Sequence, residues 1–303
     1  MTLYGIIVTY RRPRDLALMI EALDAQTRSP DRIFVVDNDP ERSAEPVVDR
    51  SVLRSRITYL PATTNLGPAG GIALGMQRVL SSAARDDWLI LLDDDDPPTP
   101  DDLIERLHTF ALDMARTHDR LGGVGAVGSR FDVGRGRVVR VPDEELVGPV
   151  RVDVIAGNQF PIYRVGAIRE VGPFDERLFF GFEELEFCLR LRRAGFRLFA
   201  RGDVWRIRRQ NRPTPYVGMT MSLGEPGWRR YYSLRNLIFI LRHNGQSLAA
   251  ARISVVRGFL KPLANLPVSP RLSIRHLRLN ATAAWDGWTG RMGRKVEPDS
   301  DWF

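Results

Sequence analysis

The run from Trp88 to Asp96 constrains this chain most: five apolar residues, Trp88-Leu89-Ile90-Leu91-Leu92, lead straight into four aspartates. An unbroken apolar run of this kind reads as a strand covered on both faces, the habit of a mostly parallel sheet flanked by helices. In open sheets of that type ligands bind outside the carboxyl ends of the strands. Four like charges at such an end call for a counter-ion. A hard divalent ion such as Mg²⁺ or Mn²⁺, held by one or two carboxylates and completed by substrate phosphates and water, would supply it. The Asp-x-Asp spacing of Asp93 and Asp95 sends alternate side chains to the same side of an extended chain. The competing reading is a solvated acidic loop in front of the helix that starts near Asp101.

The rest of the first hundred residues has the same rhythm. Leu3 to Val8, Ile33 to Val36 and Ile57 to Leu60 read as strands; Asp15 to Leu23 and Ala69 to Leu80 have helical spacing. The second strand ends in Asp37-Asn38-Asp39, so both acidic clusters fall at strand ends. A helix is expected from Asp101 to Thr117, then a short apolar stretch to Val127, an excursion or hairpin over Phe131 to Pro149, a strand over Val152 to Ile155, and a helix from Gly181 to Ala194 stopped by Gly195. Beyond about Pro213 come glycine and proline loops, then Trp228 to Arg242, then basic amphipathic helices around Leu248 to Leu266 and Ser273 to Trp288. The expected organisation is an α/β domain over 1–212 and a helical appendage over 213–303.

Composition removes several alternatives. Cys188 is the only cysteine in 303 residues, so no disulfide and no cysteine-rich zinc site forms within one copy. It also sits in an amphipathic helical pattern, the setting of a small buried hydrophobe. No window approaches the roughly 18 apolar residues of a membrane-spanning helix, and Met1 leads directly into a strand; the expectation is a chain that stays in the cytoplasm. The net charge of +7 is nearly all arginine, since Lys261 and Lys295 are the only lysines, and favours anionic partners.

Two further segments carry candidate chemistry. Asn65-Leu66-Gly67-Pro68-Ala69-Gly70-Gly71 opens a helix and would bring backbone N–H groups against a phosphate, or else serve tight helix-to-sheet packing through Gly70, Gly71 and Gly75. It is neither a Walker loop nor a dinucleotide fingerprint. Glu183-Glu184-Leu185-Glu186 puts three carboxylates at a helix start, suited either to the helix dipole or to a general base for an acceptor hydroxyl.

In order and spacing these pieces resemble family 2 glycosyltransferases of the GT-A fold, a Rossmann-like sheet with flanking helices. The resemblance runs over residues 3 to 206 on Val8-Thr9-Tyr10, Val35-Val36-Asp37-Asn38, Asn65-Leu66-Gly67, Asp93-x-Asp95, Gly172-Pro173-Phe174-Asp175-Glu176 and the acidic helix start. Asn65 to Met76, with Tyr231-Tyr232 and Arg235-Asn236, is similar to the galactofuranosyltransferase and rhamnosyltransferase branch. The resemblance implies an inverting transferase using a nucleotide-diphosphate sugar, UDP- or dTDP-linked, as in cell-wall polysaccharide synthesis. Thr9, Tyr10, Asp37, Asn65, Gly67, Asp93 and Asp94 would hold the nucleotide, and Asp93 and Asp95 a Mg²⁺ or Mn²⁺ ion. Glu184 would be the base, with Glu183 as the alternative, and Gly157-Asn158 would line the acceptor site. Where many members have a metal-binding histidine, Val204-Trp205-Arg206 places Arg206, which would neutralise the diphosphate instead.

The implied partners are the sugar donor and a glycan, lipid-linked or small-molecule acceptor. The basic C-terminal helices, with Arg252, Arg257, Lys261, Arg271, Arg275 and Arg278, suit a peripheral position on an anionic membrane, a homodimer contact or a solvated face. A sugar nucleotidyltransferase is the first rival, but Thr9-Tyr10-Arg11-Arg12-Pro13 lacks the glycine-rich loop that grips a triphosphate. A nucleic-acid-binding module is the second; its arginines would cluster on one face, and here they are spread through both halves of the chain, so no nucleic-acid partner is expected.

Overall fold

The computed structural model describes residues 1–211 and 226–297, and these divide into two units. The first comprises residues 1–130, 141–175 and 184–211; the second comprises residues 131–140, 176–183 and 226–297. The domain boundary expected at 212/213, with its glycine and proline loops, lies outside the described residues.

The first unit is built on an eight-stranded sheet. Its opening half is β1 (Leu3–Thr9), α1 (Pro13–Ala25), β2 (Arg32–Asp37), the short α2 (Glu45–Asp49), β3 (Ile57–Pro61), α3 (Gly67–Ser82), β4 (Trp88–Asp93), α4 (Leu103–Thr117) and β5 (Leu121–Gly125). A hairpin, β6 (Arg130–Asp132) and β7 (Arg137–Val139), leads into the second unit and back. Then follow β8 (Pro149–Val152), β9 (Ile162–Arg164), α5 (Val165–Val171), α6 (Glu183–Arg193), β10 (Arg197–Arg201) and α7 (Gly202–Asn211). The strand order is β3-β2-β1-β4-β9-β5-β10-β8, with β9 antiparallel to both its neighbours and β8 antiparallel to β10. All other pairings are parallel. The mostly parallel α/β sheet read from the sequence is therefore present.

Register explains why the acidic strand ends meet. Thr9 pairs with Asp37 and Val8 with Asp93, so β1, β2 and β4 finish side by side. Beneath them Leu3, Ile7, Ile33, Val35, Trp88 and Ile90 are buried with Leu16, Met19 and Leu23 of α1 and Leu103, Ile104 and Leu107 of α4. The apolar faces of both helices thus cover the sheet, as the unbroken run at Trp88 required. The glycines of α3 serve packing: a Cβ at Gly71 would lie 2.5 Å from Val8 Cγ1, and one at Gly75 would lie 2.8 Å from Ile6 Cγ2.

Three local expectations change. The strand expected over Val152 to Ile155 is β8, three residues earlier; Val154 and Ile155 are buried where the chain has already left that strand, so apolar character runs past its end. The three-residue β9 is too short to give a periodicity. Residues after β10 form a helix, α7, which changes the reading of Arg206.

The second unit contains α8 (Gly227–His243), α9 (Ser247–Ile253), a π-helical stretch Ser254–Leu260, α10 (Lys261–Ala264) and α11 (Pro270–Thr289). α8 and α11 pack together, with Tyr231 donating to Asp286 at 2.5 Å and Tyr232 to the Val296 carbonyl at 2.9 Å. The two helices expected around Leu248 to Leu266 and Ser273 to Trp288 are present, the first interrupted by the π stretch, and Trp228 to Arg242 lies in α8. No helix among the described residues is long and apolar enough to cross a membrane.

Candidate active site

The tetra-aspartate at the end of β4 is resolved into four different environments. Asp94 and Asp96 point inward, 5% and 6% exposed, while Asp93 and Asp95 face solvent. The alternation expected of an extended chain survives although the chain turns at Asp94-Asp95. Asp94 accepts a 2.7 Å hydrogen bond from Thr9 Oγ1 and one of 3.1 Å from Arg12, whose same nitrogen reaches Asp95 at 2.5 Å. Asp96 pairs with Arg208 at 3.0 Å, and the Arg208 guanidinium lies over the Phe160 ring. Two arginines thus neutralise three of the four carboxylates. Asp93 is the carboxylate left without a cation among the described residues.

Asp93 instead faces another acid. A Cβ placed on Gly157 would be 3.0 Å from Glu184 Oε1 and 3.9 Å from Asp93 Oδ2, so the two carboxylates lie within about 7 Å of each other. Loss of water, then the Glu184 charge, then the neighbouring aspartates push the Asp93 carboxyl up to about 7. Glu184 is raised as well, by burial, opposed by hydrogen bonds from its own backbone N–H and from the N–H of Gly157. The latter measures 3.0 Å. Two acids whose ionised forms are disfavoured by their surroundings, at the end of a sheet, make a site able to take up a proton or a cation.

Glu183 and Glu184 are separated by their surroundings: Glu183 is buried at 5% exposure, whereas Glu184 is half-buried beside Gly157 and Asp93. Glu186, the third acid of the run, is paired at 2.7 Å with Arg190, which also donates to the carbonyls of Val171 and Pro173. This arginine, which sequence reasoning missed, ties α6 to the Gly172-Pro173-Phe174-Asp175 turn. Gly157 and Asn158 form a single helical turn beside Glu184.

The nucleotide-side residues collect at the ends of β1 and β2. Asp37 is fully buried and accepts from the N–H groups of Asp39 and Ala44 and from the Tyr59 hydroxyl, at 3.0, 3.0 and 2.8 Å. It shapes the loop after β2 and exposes no oxygen. Asn65 accepts from Gly67 N at 2.9 Å, and Asn38 donates to the Gly67 carbonyl at 2.9 Å. Gly67, at φ +68, makes the left-handed turn into α3. Tyr10 lies partly exposed beyond Thr9, with the Arg11 guanidinium over its ring.

Arg206, expected to neutralise the diphosphate, is exposed on α7. Its guanidinium donates to the Leu146 carbonyl at 2.9 Å, and it is Arg208 that reaches the aspartates. The physical reason is that residues 202–211 are helical: positions two apart on an α-helix point to opposite sides. Arg12 and Arg208 were missed because nothing in their local sequence separates them from the many other arginines.

Carboxylates gathered at the carboxyl ends of β2 and β4, with a half-buried acid at the start of a later helix, mark this end of the sheet as the candidate site. Residues 5–140 of the chain match the description of glycosyl transferase family 2. Over 206 residues it is 33% identical to the galactofuranosyltransferase GlfT1 of Mycobacterium tuberculosis H37Rv, a match covering 64% of this chain and 66% of the relative, just under two thirds. It is 34% identical over 210 residues to GlfT1 of Mycolicibacterium smegmatis, covering 63% and 65%. Among solved structures the fold is shared with GalNAc-T7, bound to UDP, GalNAc and Mn²⁺, at TM-score 0.56 and 13% identity over 80% of this chain and 48% of that one. It is also shared with the mannosyltransferase PcManGT of Pyrobaculum calidifontis, bound to GDP-Man and Mn²⁺, at TM-score 0.53 and 12% identity over 96% and 88%.

Proposed function

We propose that this chain is an inverting galactofuranosyltransferase, moving the sugar from a nucleotide-diphosphate donor to a hydroxyl of a glycan or lipid-linked acceptor. The observation that carries the reading is the approach of Asp93 and Glu184 to the same position, where a Cβ on Gly157 would stand. An acid suited to a cation beside an acid suited to accept a proton is what a single displacement would use. Identity of 33–34% to the GlfT1 enzymes supports galactofuranose over rhamnose.

In this reading Glu184 Oε2 takes the proton from the acceptor hydroxyl while Gly157 N–H holds Oε1 in place. The sugar passes through an oxocarbenium-like state and its anomeric configuration inverts. Thr9, Tyr10, the loop shaped by Asp37 and the Asn65-Gly67 turn hold the nucleotide, and Asn158 borders the acceptor. The negative charge of the departing diphosphate falls near Arg12 and Arg208, whose guanidiniums suit phosphate geometry.

A divalent cation fits the donor set. Loss of water and then repulsion from Glu184 and the neighbouring aspartates hold Asp93 near 7; Mg²⁺ or Mn²⁺ would offset both, and Asp93 with Asp95 would hold the ion. Among the described residues no group of three or more histidine, cysteine, aspartate or glutamate side chains is arranged to hold a metal. Donor phosphates and water would therefore complete its shell. When bound, the ion supplies charge stabilisation for the departing diphosphate.

The test is calorimetric binding of UDP-galactofuranose, UDP-galactopyranose and dTDP-rhamnose with and without Mn²⁺. Tightest binding of UDP-galactofuranose, strengthened by the ion, is the expected result. Preference for dTDP-rhamnose would reassign the sugar, and no binding of any donor would overturn the reading.

The second unit suits a surface where a lipid-linked acceptor resides. Residues 226 to 285 contain ten arginines and lysines and no aspartate or glutamate. Val255, Leu260, Leu263 and Val268 of the same unit are exposed beside Arg257 and Lys261. Apolar and basic residues together favour an anionic bilayer surface. Sedimentation with phosphatidylglycerol vesicles should deplete the protein from the supernatant at low salt and release it at high salt. Full recovery in the supernatant, or a self-association seen without vesicles, would remove the membrane and leave the dimer contact.

A further inference from the structure

Arg235 and Asn236 of α8 are buried completely, yet neither role proposed above uses them. Burying a guanidinium and a carboxamide is costly unless their hydrogen-bonding capacity is filled. It is filled by one short segment. Asn236 Nδ2 donates to the carbonyls of Leu178, Phe180 and Gly181 at 3.0, 2.9 and 2.8 Å. Arg235 donates to the Leu178 carbonyl at 2.9 Å and to that of Gly293, and its Nε fixes Asn236 by donating to Oδ1 at 2.9 Å.

That segment is strained. Phe179, Gly181 and Phe182 all have left-handed backbone, at φ +61, +80 and +69. For the two phenylalanines this costs on the order of 1 kcal/mol each, and such residues persist only where their surroundings over-determine them. Phe179 packs on Tyr232 and Phe180 on Trp228, so the rings are anchored on α8 as well. Directly after Phe182 the chain enters α6 with Glu183 and Glu184. The segment's shape therefore sets where the first turn of α6 begins.

We propose that Arg235 and Asn236 are positioning residues for the catalytic base: they hold residues 178–181 in the strained shape from which α6 presents Glu184. This rests on the reading of Glu184 as the base. It predicts that loosening the clamp impairs proton abstraction and spares donor binding, because the clamp touches no nucleotide-side residue.

The test compares Asn236→Ala and Gly181→Ala with Glu184→Gln, measuring transfer kinetics, donor affinity by calorimetry and the pH profile of kcat/KM. Gly181→Ala guards against a folding defect in the first variant: a Cβ there has room, 3.7 Å from Ser233 Oγ, but the φ of +80 resists it, so the segment itself is perturbed. For both clamp variants kcat should fall about 10–100-fold with donor Kd within about twofold, and the acidic limb of the profile should shift. Asn236→Gln should recover part of the loss. Unchanged kcat in both clamp variants while Glu184→Gln is inactive would overturn the clamp and keep the base. Parallel loss of donor binding and kcat would also overturn it. Full activity of Glu184→Gln would instead remove the base assignment on which the clamp rests.

Discussion

Gly157 N–H donates a 3.0 Å hydrogen bond to Glu184 Oε1, joining a single-turn helix beside β9 to the first turn of α6. The same glycine leaves Asp93 Oδ2 3.9 Å from where a Cβ would stand. Space at this position is therefore set by two acids.

Gly157→Ala should put a methyl group 3.0 Å from Glu184 Oε1 and turn the carboxylate away. We expect kcat to drop about 10-fold or more, with donor affinity and melting temperature nearly unchanged. Steady-state kinetics beside calorimetry would check this; equal loss of donor binding would contradict it.

The base must be ionised to accept a proton. Since burial raises Glu184 above its ordinary 4.5, the acidic limb of kcat/KM should lie above that value rather than at it. Activity should rise with pH through this limb, and Glu184→Gln should lower transfer about 10²–10⁴-fold across the range. A pH–rate profile with the limb near 4.5 would argue against a buried base.

Asp93 couples function to stability. Its folded-state pKa, about 7, lies above the ordinary 3.8, so its ionised form destabilises the fold; the penalty is absent well below pH 4 and grows as pH rises to 7. Asp93→Asn should raise stability at pH 8 by on the order of 1 kcal/mol, discounted for the solvent exposure of this carboxylate, and leave it unchanged near pH 3.5. Chemical denaturation at the two pH values tests the sign, and transfer activity should be lost.

Arg208 and Arg206 should separate cleanly. Arg208→Ala removes the 3.0 Å ion pair to Asp96, 6% exposed, and should lower stability by about 2–4 kcal/mol, weakening donor binding as well. Arg206→Ala removes one bond to the Leu146 carbonyl and should cost about 1 kcal/mol or less. Larger damage from Arg206→Ala in donor-binding assays would restore it to the diphosphate.

Gly71→Ala tests the packing of α3. A Cβ 2.5 Å from Val8 Cγ1 cannot be accommodated without moving the helix, so a loss of about 1–3 kcal/mol is expected by thermal melting.

Much of the fold was legible because its signals are local. The apolar run at Trp88 announced a covered strand, and β1, β2, β3, α1, α3 and α4 all follow periodicities that a short window contains. β9 was not legible, since three residues carry no period, and its antiparallel insertion between β4 and β5 depends on partners distant in the chain. α7 was missed for a related reason: Trp205, buried at 4% exposure, and its basic neighbours fit a strand as well as a helix until packing decides.

What the sequence determined by itself was the chemistry available: a strand ending in four acids, a second acidic cluster at a helix start, an excess of arginine and a single cysteine. These are properties of residue type and spacing, and they survive any arrangement of the chain. What only the tertiary structure decided was which of those groups meet. Arg12 and Arg208 neutralise Asp94, Asp95 and Asp96 across gaps of up to 112 residues, leaving Asp93 to face Glu184. Charge acts through space rather than along the chain, so which acid meets an arginine and which faces another acid was decided only once the sheet had placed its neighbours.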